Sequence, residues 1–256
     1  MRRLIAFPCA GDTLIGAIDD AAATTGLLIV SGGNEVRAGA HRGMAMLAAN
    51  IAAAGFPVLR YDRRGVGDSA GENRGFRYAQ DDLAAAVATF RAEVPGVDRI
   101  VGFGNCDAAS TLALFGRDAG IDRVLLANPW VIEDDDDLPP AAAIRARYAE
   151  RLRSRSAWSR LLRGEIDLRK TVRGLAKLSR TKPHPSNRLA TRVIRAIADW
   201  DDDATVILAS GDATAIAYRD VARGLPATTI DTDSHSFARS NDKEALRAEV
   251  VNALRR

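Results

Sequence analysis

A cysteine, an aspartate and a histidine in this sequence each follow an apolar run, and together they are the residue types that acyl chemistry needs. Cys106 lies in "VGFGNCDAASTLALFG", residues 101–116, where an apolar run meets a Gly-bounded corner and then a stretch of small residues. Gly104-Asn105-Cys106-Asp107-Ala108 has the form G-x-nucleophile-x-small, which puts a nucleophile at the apex of a strained strand-to-helix turn. Small residues at 104 and 108 let strand and helix approach, and the N–H groups opening the helix favour a thiolate. The competing reading of Cys106 is a small buried thiol in an ordinary core.

A thiol nucleophile needs a base, and the chain has 3 histidines. His41 precedes the corner, and His184 lies between two prolines. His235, in "DTDSHSFAR", follows the last expected strand and lies downstream of the nucleophile, so it is the expected base; a structural or surface histidine is the alternative. The acid is expected after the strand "TVILAS", where Asp212 would hold the imidazole in one tautomer and stabilise its charged form. Asp212 also has the position of a helix N-cap. Glu133 is the next choice of acid, whereas Asp231 and Asp233 stand too close to His235 in sequence.

An oxyanion formed at Cys106 requires two N–H donors. One is expected from Asp107, and the other from the loop Gly32-Gly33-Asn34, with Gly33 first and Asn34 next. Glu35 is near enough to contact substrate, and a surface ion pair with Arg37 or Arg42 is its other reading. "GDSAG", from Gly67 to Gly71, matches the serine form G-x-S-x-G letter for letter. Its strand "PVLRYD" stops several residues earlier and a polar loop follows, so Ser69 is rejected.

The elements that must position these residues are legible as alternating runs. "LIAFP" and "TLIGAID" read as an antiparallel hairpin at a sheet edge. "GLLIVSGG", "FPVLRYD", "DRIVGFG", "DRVLLANPW", "TVILASG" and "ATTIDT" read as strands, with Ala-rich helices between most of them and a final helix "KEALRAEVVNALRR". Continuous apolar strands flanked by helices call for a mostly parallel, doubly wound α/β sheet. Its ligands bind at the carboxyl ends of the strands, where the chosen residues fall.

The alternation stops after Trp130, so residues 1–132 and 201–256 are expected to form the core and residues 133–200 a basic helical lid. Between Leu138 and Ala198 there are 16 Lys or Arg and three acids, a charge of +13, which leaves −10 on the rest of a chain of net charge +3. Such a lid attracts anionic partners, a CoA- or carrier-linked acyl donor, an acidic polysaccharide or a peripheral membrane surface, unless its charge merely balances the body. Tyr148 and Trp158 are its expected apolar substrate contacts. Nucleic acid is not expected, since aromatic platforms and a recognition motif are lacking. Two cysteines and a short N-terminal apolar run point to a cytoplasmic chain without a signal peptide. The chemistry requires no metal or cofactor.

The fragments "YDRRGVGDSAG", the cysteine corner, and the acid and histidine in this order resemble the α/β-hydrolase superfamily. More narrowly, "GGNEVRAGAHR", "GNCDAAS", "LLANPWV", "ARYAERLRSRSAWSRLLRGEIDL" and "DSHSFAR" resemble the exosortase A system-associated hydrolases of the first type, bacterial proteins encoded beside exopolysaccharide machinery. The chain departs from that pattern at Asn34-Glu35, where the family has a proline-glutamine pair, and at Ala108, where it has glycine. The resemblance implies an α/β-hydrolase fold and an ester or thioester hydrolase with Cys106 as nucleophile and Asp212 and His235 as partners. Acyl transfer is one alternative implied by other cysteine-bearing members of the superfamily; a non-catalytic accessory protein on the same fold is the other.

Overall fold

The computed structural model describes residues 1–133 and 188–256, and the calls on Tyr148, Trp158, His184 and most of the lid lie outside them. Eight strands form one sheet: β1 (Arg2–Cys9), β2 (Asp12–Asp19), β3 (Thr25–Val30), β4 (Val58–Tyr61), β5 (Arg99–Asn105), β6 (Arg123–Ala127), β7 (Ala204–Ala209) and β8 (Thr228–Ile230). Their order is β1-β2-β4-β3-β5-β6-β7-β8. The β1–β2 hairpin occupies the edge, β2 runs antiparallel to β4, and every pairing from β4 through β3 to β8 is parallel. The expected α/β architecture and edge hairpin are both present.

Among the described residues the α-helices are α1 (Gly43–Ala53), α2 (Gln80–Glu93), α3 (Asp107–Phe115), α4 (Arg188–Asp199), α5 (Ala213–Val221) and α6 (Ser240–Arg255). Side chains alternate along the central strands, so each strand feeds two cores. Leu28, Val30, Ile100, Val124 and Leu126 pack with Phe90 of α2, Leu112 of α3 and Val193 of α4. Leu27, Ile29, Val101, Phe103 and Leu125 pack with Ile51 of α1 and with Val250 and Leu254 of α6. Full burial of Phe103 in the second layer makes it a keystone of that face: truncation to Ala should cost about 3–5 kcal/mol.

The helix α4 belongs to this packing, although the sequence reading placed its residues in the lid. Leu189, Ala190, Val193 and Ile197 are buried in the core cluster that includes α3. Their i, i+4, i+8 spacing leaves Arg188, Arg192 and Arg195 on the other side. Trp200 follows, fully buried, with its indole Nε1 donating to the carbonyl of Ala113 at 3.0 Å and Arg117 stacked on its ring at 4.4 Å.

Candidate active site

Cys106 stands between β5 and α3 with φ 63° and ψ −126°. A non-glycine residue there carries roughly 1–3 kcal/mol of backbone strain, so the surroundings must impose it. The Cys106 N–H donates to the carbonyl of Ala127 at 2.9 Å, and its carbonyl accepts from Ala109 at 3.1 Å and Trp130 at 3.2 Å. The small residues on either side are required by space. A Cβ on Gly104 would lie 2.7 Å from the backbone of Ala108, and one on Gly32 would lie 2.6 Å from the carbonyl of Asn105.

The expected partners converge on this corner from two more strand ends. Asp212 follows β7, and its Oδ1 lies 3.0 Å from Nδ1 of His235, which follows β8. Its Oδ2 accepts from the N–H of Ala215 at 3.0 Å, so one carboxylate both caps α5 and orients the histidine. Asp212 therefore has the position of an N-cap and also faces the histidine. Glu133, the other acid considered, is engaged elsewhere, its Oε1 accepting from Leu189 at the start of α4 at 3.0 Å.

Hydrogen bonds to Asp212 and then to the sulfur of Cys106 hold the proton on His235, lifting it to about 10 against the opposing effect of burial. Burial pushes the Asp212 carboxyl up, but the hydrogen bond and charge of His235, with the N–H groups of Ala215 and Thr214, outweigh it and hold the carboxyl below its ordinary value. The favoured charge state is an imidazolium between a carboxylate and a sulfur. That state can donate a proton to a leaving group and later accept one from water.

A second layer of polar residues, not singled out from the sequence, fixes the histidine loop. The amide nitrogens of Asn105 and Asn128 donate to the carbonyl of His235 at 3.0 and 3.3 Å. Asn128 also donates to Oδ1 of Asn105 at 3.0 Å and accepts from the N–H of Ala209 at 2.9 Å. Fully buried and in a left-handed conformation (φ 43°), Asn128 ties the ends of β5, β6 and β7 to the His235 loop. Its position just after a parallel strand was the available signal.

The oxyanion loop differs from the expectation in one respect. Asp107 opens α3, where helix N–H groups have no intrahelical acceptor, and so suits the first donor. The Gly33 N–H, however, donates to Oδ1 of Asp107 at 2.6 Å. Arg63 secures this closure, donating to the carbonyl of Gly33 and approaching Oδ2 of Asp107 at 3.8 Å. Asn34 accepts from Asn73 at 2.8 Å through its side-chain oxygen. Glu35 lines a cavity of about 120 Å³ with Cys106, His235, Val30, Ala40 and Met44. Arg37, one of its two suggested ion-pair partners, instead binds Asp62 and Asp68.

Ser69 has a structural task. Its hydroxyl donates to the carbonyl of Asp62 at 2.7 Å and accepts from Ile15 at 2.9 Å, which fastens the loop after β4 to β2.

The model of the serine aminopeptidase S33 family matches residues 23–211, from β3 past the end of β7. The chain belongs to this family of α/β-hydrolases. No curated protein matches this α/β-hydrolase. Among solved structures, an esterase of Pyrococcus furiosus has a TM-score of 0.64 at 16% identity, with 100% of this chain and 90% of that one covered. The α/β-hydrolase GrgF of a Penicillium species gives 0.63 at 18%, covering 99% and 98%. A thioesterase domain of the curacin biosynthetic pathway gives 0.58 at 14%, covering 98% and 99%. These likenesses establish the fold. This hydrolase differs from the serine in its family's name by presenting Cys106 at the corner.

Proposed function

We infer that this α/β-hydrolase cleaves carboxylic esters or thioesters through a covalent acyl-cysteine. The observation that carries the reading is the convergence of Asp212, His235 and Cys106, with 3.0 Å between the acid and the ring and with Cys106 and His235 lining one cavity, on a backbone strained to φ 63°. The sulfur of Cys106, its proton handed to His235, attacks the carbonyl carbon and forms a C–S bond. Collapse of the tetrahedral intermediate breaks the bond to the leaving alcohol or thiol, which takes its proton from the His235 imidazolium. Water then attacks the acyl-thioester while His235 accepts its proton, and the C–S bond breaks to release the acid. The N–H of Asp107 stabilises the oxyanion from the outset, and the N–H of Gly33 joins it once the Asp107 carboxylate turns away.

The resemblance to exosortase A system-associated hydrolases supports a role beside exopolysaccharide production. A thioester intermediate also reacts with amines and thiols, so acyl transfer is the second reading. Hydrolysis of a panel of butyryl and longer esters and thioesters, with and without added amine and thiol acceptors, tests both. The native chain should turn over at least one member, Cys106→Ala none, and an acceptor that captures most of the acyl group would assign transfer. An undiminished rate in Cys106→Ala would refute the cysteine mechanism.

A further inference from the structure

The second N–H expected to serve the oxyanion is taken by the protein itself. The Asp107 carboxylate accepts from the Gly33 N–H at 2.6 Å through Oδ1. Two glycines permit this contact. Gly33 adopts a left-handed conformation with φ 55°, which a residue with a side chain adopts only under strain. A Cβ at position 32 would lie 2.7 Å from Oδ1 of Asp107, so a side chain there would push the carboxylate off the loop.

The backbone of Asp107 is fixed, since the residue opens α3 and its carbonyl accepts from the Thr111 hydroxyl at 3.0 Å. The carboxylate therefore leaves Gly33 by turning about its own side-chain bonds. A second donor stands ready beside it. Arg63 is buried and anchored on the Gly33 carbonyl, and its Nη2 lies 3.8 Å from Oδ2 of Asp107, too long for a hydrogen bond. Among the described residues no other carboxylate pairs with this guanidinium. One carboxylate thus faces two donors and is bonded to one of them. A small rotation reverses the preference, freeing the Gly33 N–H and closing the ion pair with Arg63. Both positions offer a charged hydrogen bond, so the exchange replaces one strong contact with another.

We propose that the Asp107 carboxylate is an autoinhibitory latch on the oxyanion hole, displaced by the substrate carbonyl from the Gly33 N–H onto Arg63. This rests on the acyl-cysteine reading above and adds its regulation. Only the unlatched fraction of molecules has both donors free, and apparent affinity for a ligand that needs both is reduced by that fraction.

Butyraldehyde is the probe. Its carbonyl carbon bonds to the Cys106 sulfur and its oxygen takes the thiol proton, giving a hemithioacetal whose oxygen lies in the hole. The adduct is neutral, so its stability reports the freed donor rather than the lost charge of Asp107. In Asp107→Ala, with folding checked by circular dichroism, the aldehyde should bind about tenfold tighter. Unchanged or weaker binding in the folded variant overturns the latch. Arg63→Met should weaken aldehyde binding to the otherwise native chain, and do so much less in an Asp107→Ala background. An equal loss in both backgrounds would show that Arg63 acts through the Gly33 carbonyl alone and overturn its role as the receiving group.

The amide proton of Gly33, followed by NMR on isotope-labelled chains without ligand, reads the latch apart from catalysis. It should stand downfield in the native chain and move upfield in Asp107→Ala; the same position in both overturns the latch. If neither butyraldehyde nor any ester modifies Cys106 in any variant, the acyl-cysteine reading falls, while the amide shift still decides whether the carboxylate holds Gly33.

Discussion

His235 unites the charge and geometry of the site. Its Nδ1 faces Asp212 at 3.0 Å, and the hydrogen bonds to Asp212 and the Cys106 sulfur keep it protonated up to about 10. For an unactivated alkyl ester, whose leaving group needs the imidazolium proton, acylation should persist into alkaline solution and fall as pH passes about 10. Asp212→Asn removes the largest source of that stabilisation. It should move the alkaline limb to lower pH and reduce kcat/KM by roughly 10³–10⁴, the scale seen when a triad acid becomes an amide. A pH–rate profile of the variant that kept the native limb would show that Asp212 does not set the state of His235. At Asp107 the finding is different in kind: its carboxylate occupies the Gly33 N–H that the oxyanion would use.

At the scale of elements, three strand ends and one loop are drawn to a point by the side-chain amides of Asn105 and Asn128. Asn128→Ala would leave the N–H of Ala209 and the Oδ1 of Asn105 without their partner and loosen the hold on His235. It should cost about 1–3 kcal/mol in denaturant unfolding. Because Asn128 positions the histidine without reaching substrate, kcat should fall while KM changes little; Asn128→Ala with native kcat would reduce it to a structural residue. Gly104→Ala should be more disruptive, since its Cβ would press into the backbone of Ala108 at 2.7 Å. The strands and the meeting of Cys106, Asp212 and His235 were legible in the sequence because an apolar run followed by a turn is a local pattern, and each of these residues stands at such a boundary. The Asn105–Asn128 link was not, because it joins residues on separate strands through side-chain amides, a relation that no local pattern encodes. The helix α4 was obscured in another way: counting arginines across the segment hid the four-residue spacing of Leu189, Val193 and Ile197.

Over the whole molecule, the site makes folding stability depend on pH in two windows. A folded-state His235 held at about 10, against 6.5 for a free imidazole, binds a proton that the unfolded chain has released. Its contribution is complete below about pH 6.5 and is lost as pH rises through about 10. Asp212, held below its ordinary 3.8, contributes above that value and loses its contribution as pH falls through its folded-state value. Denaturant midpoints of the native chain should therefore decline relative to those of His235→Ala between pH 7 and 10; parallel curves would contradict the imidazolium pair. The kinetic expectations depend on a covalent acyl-cysteine, which intact-protein mass tests most directly after brief mixing with activated butyryl ester and acid quench. The account predicts one butyryl group per chain, mapped to Cys106, absent from Cys106→Ala and longer-lived in His235→Ala. Turnover of the ester with no adduct at any mixing time, or an adduct that survives in Cys106→Ala, would contradict it.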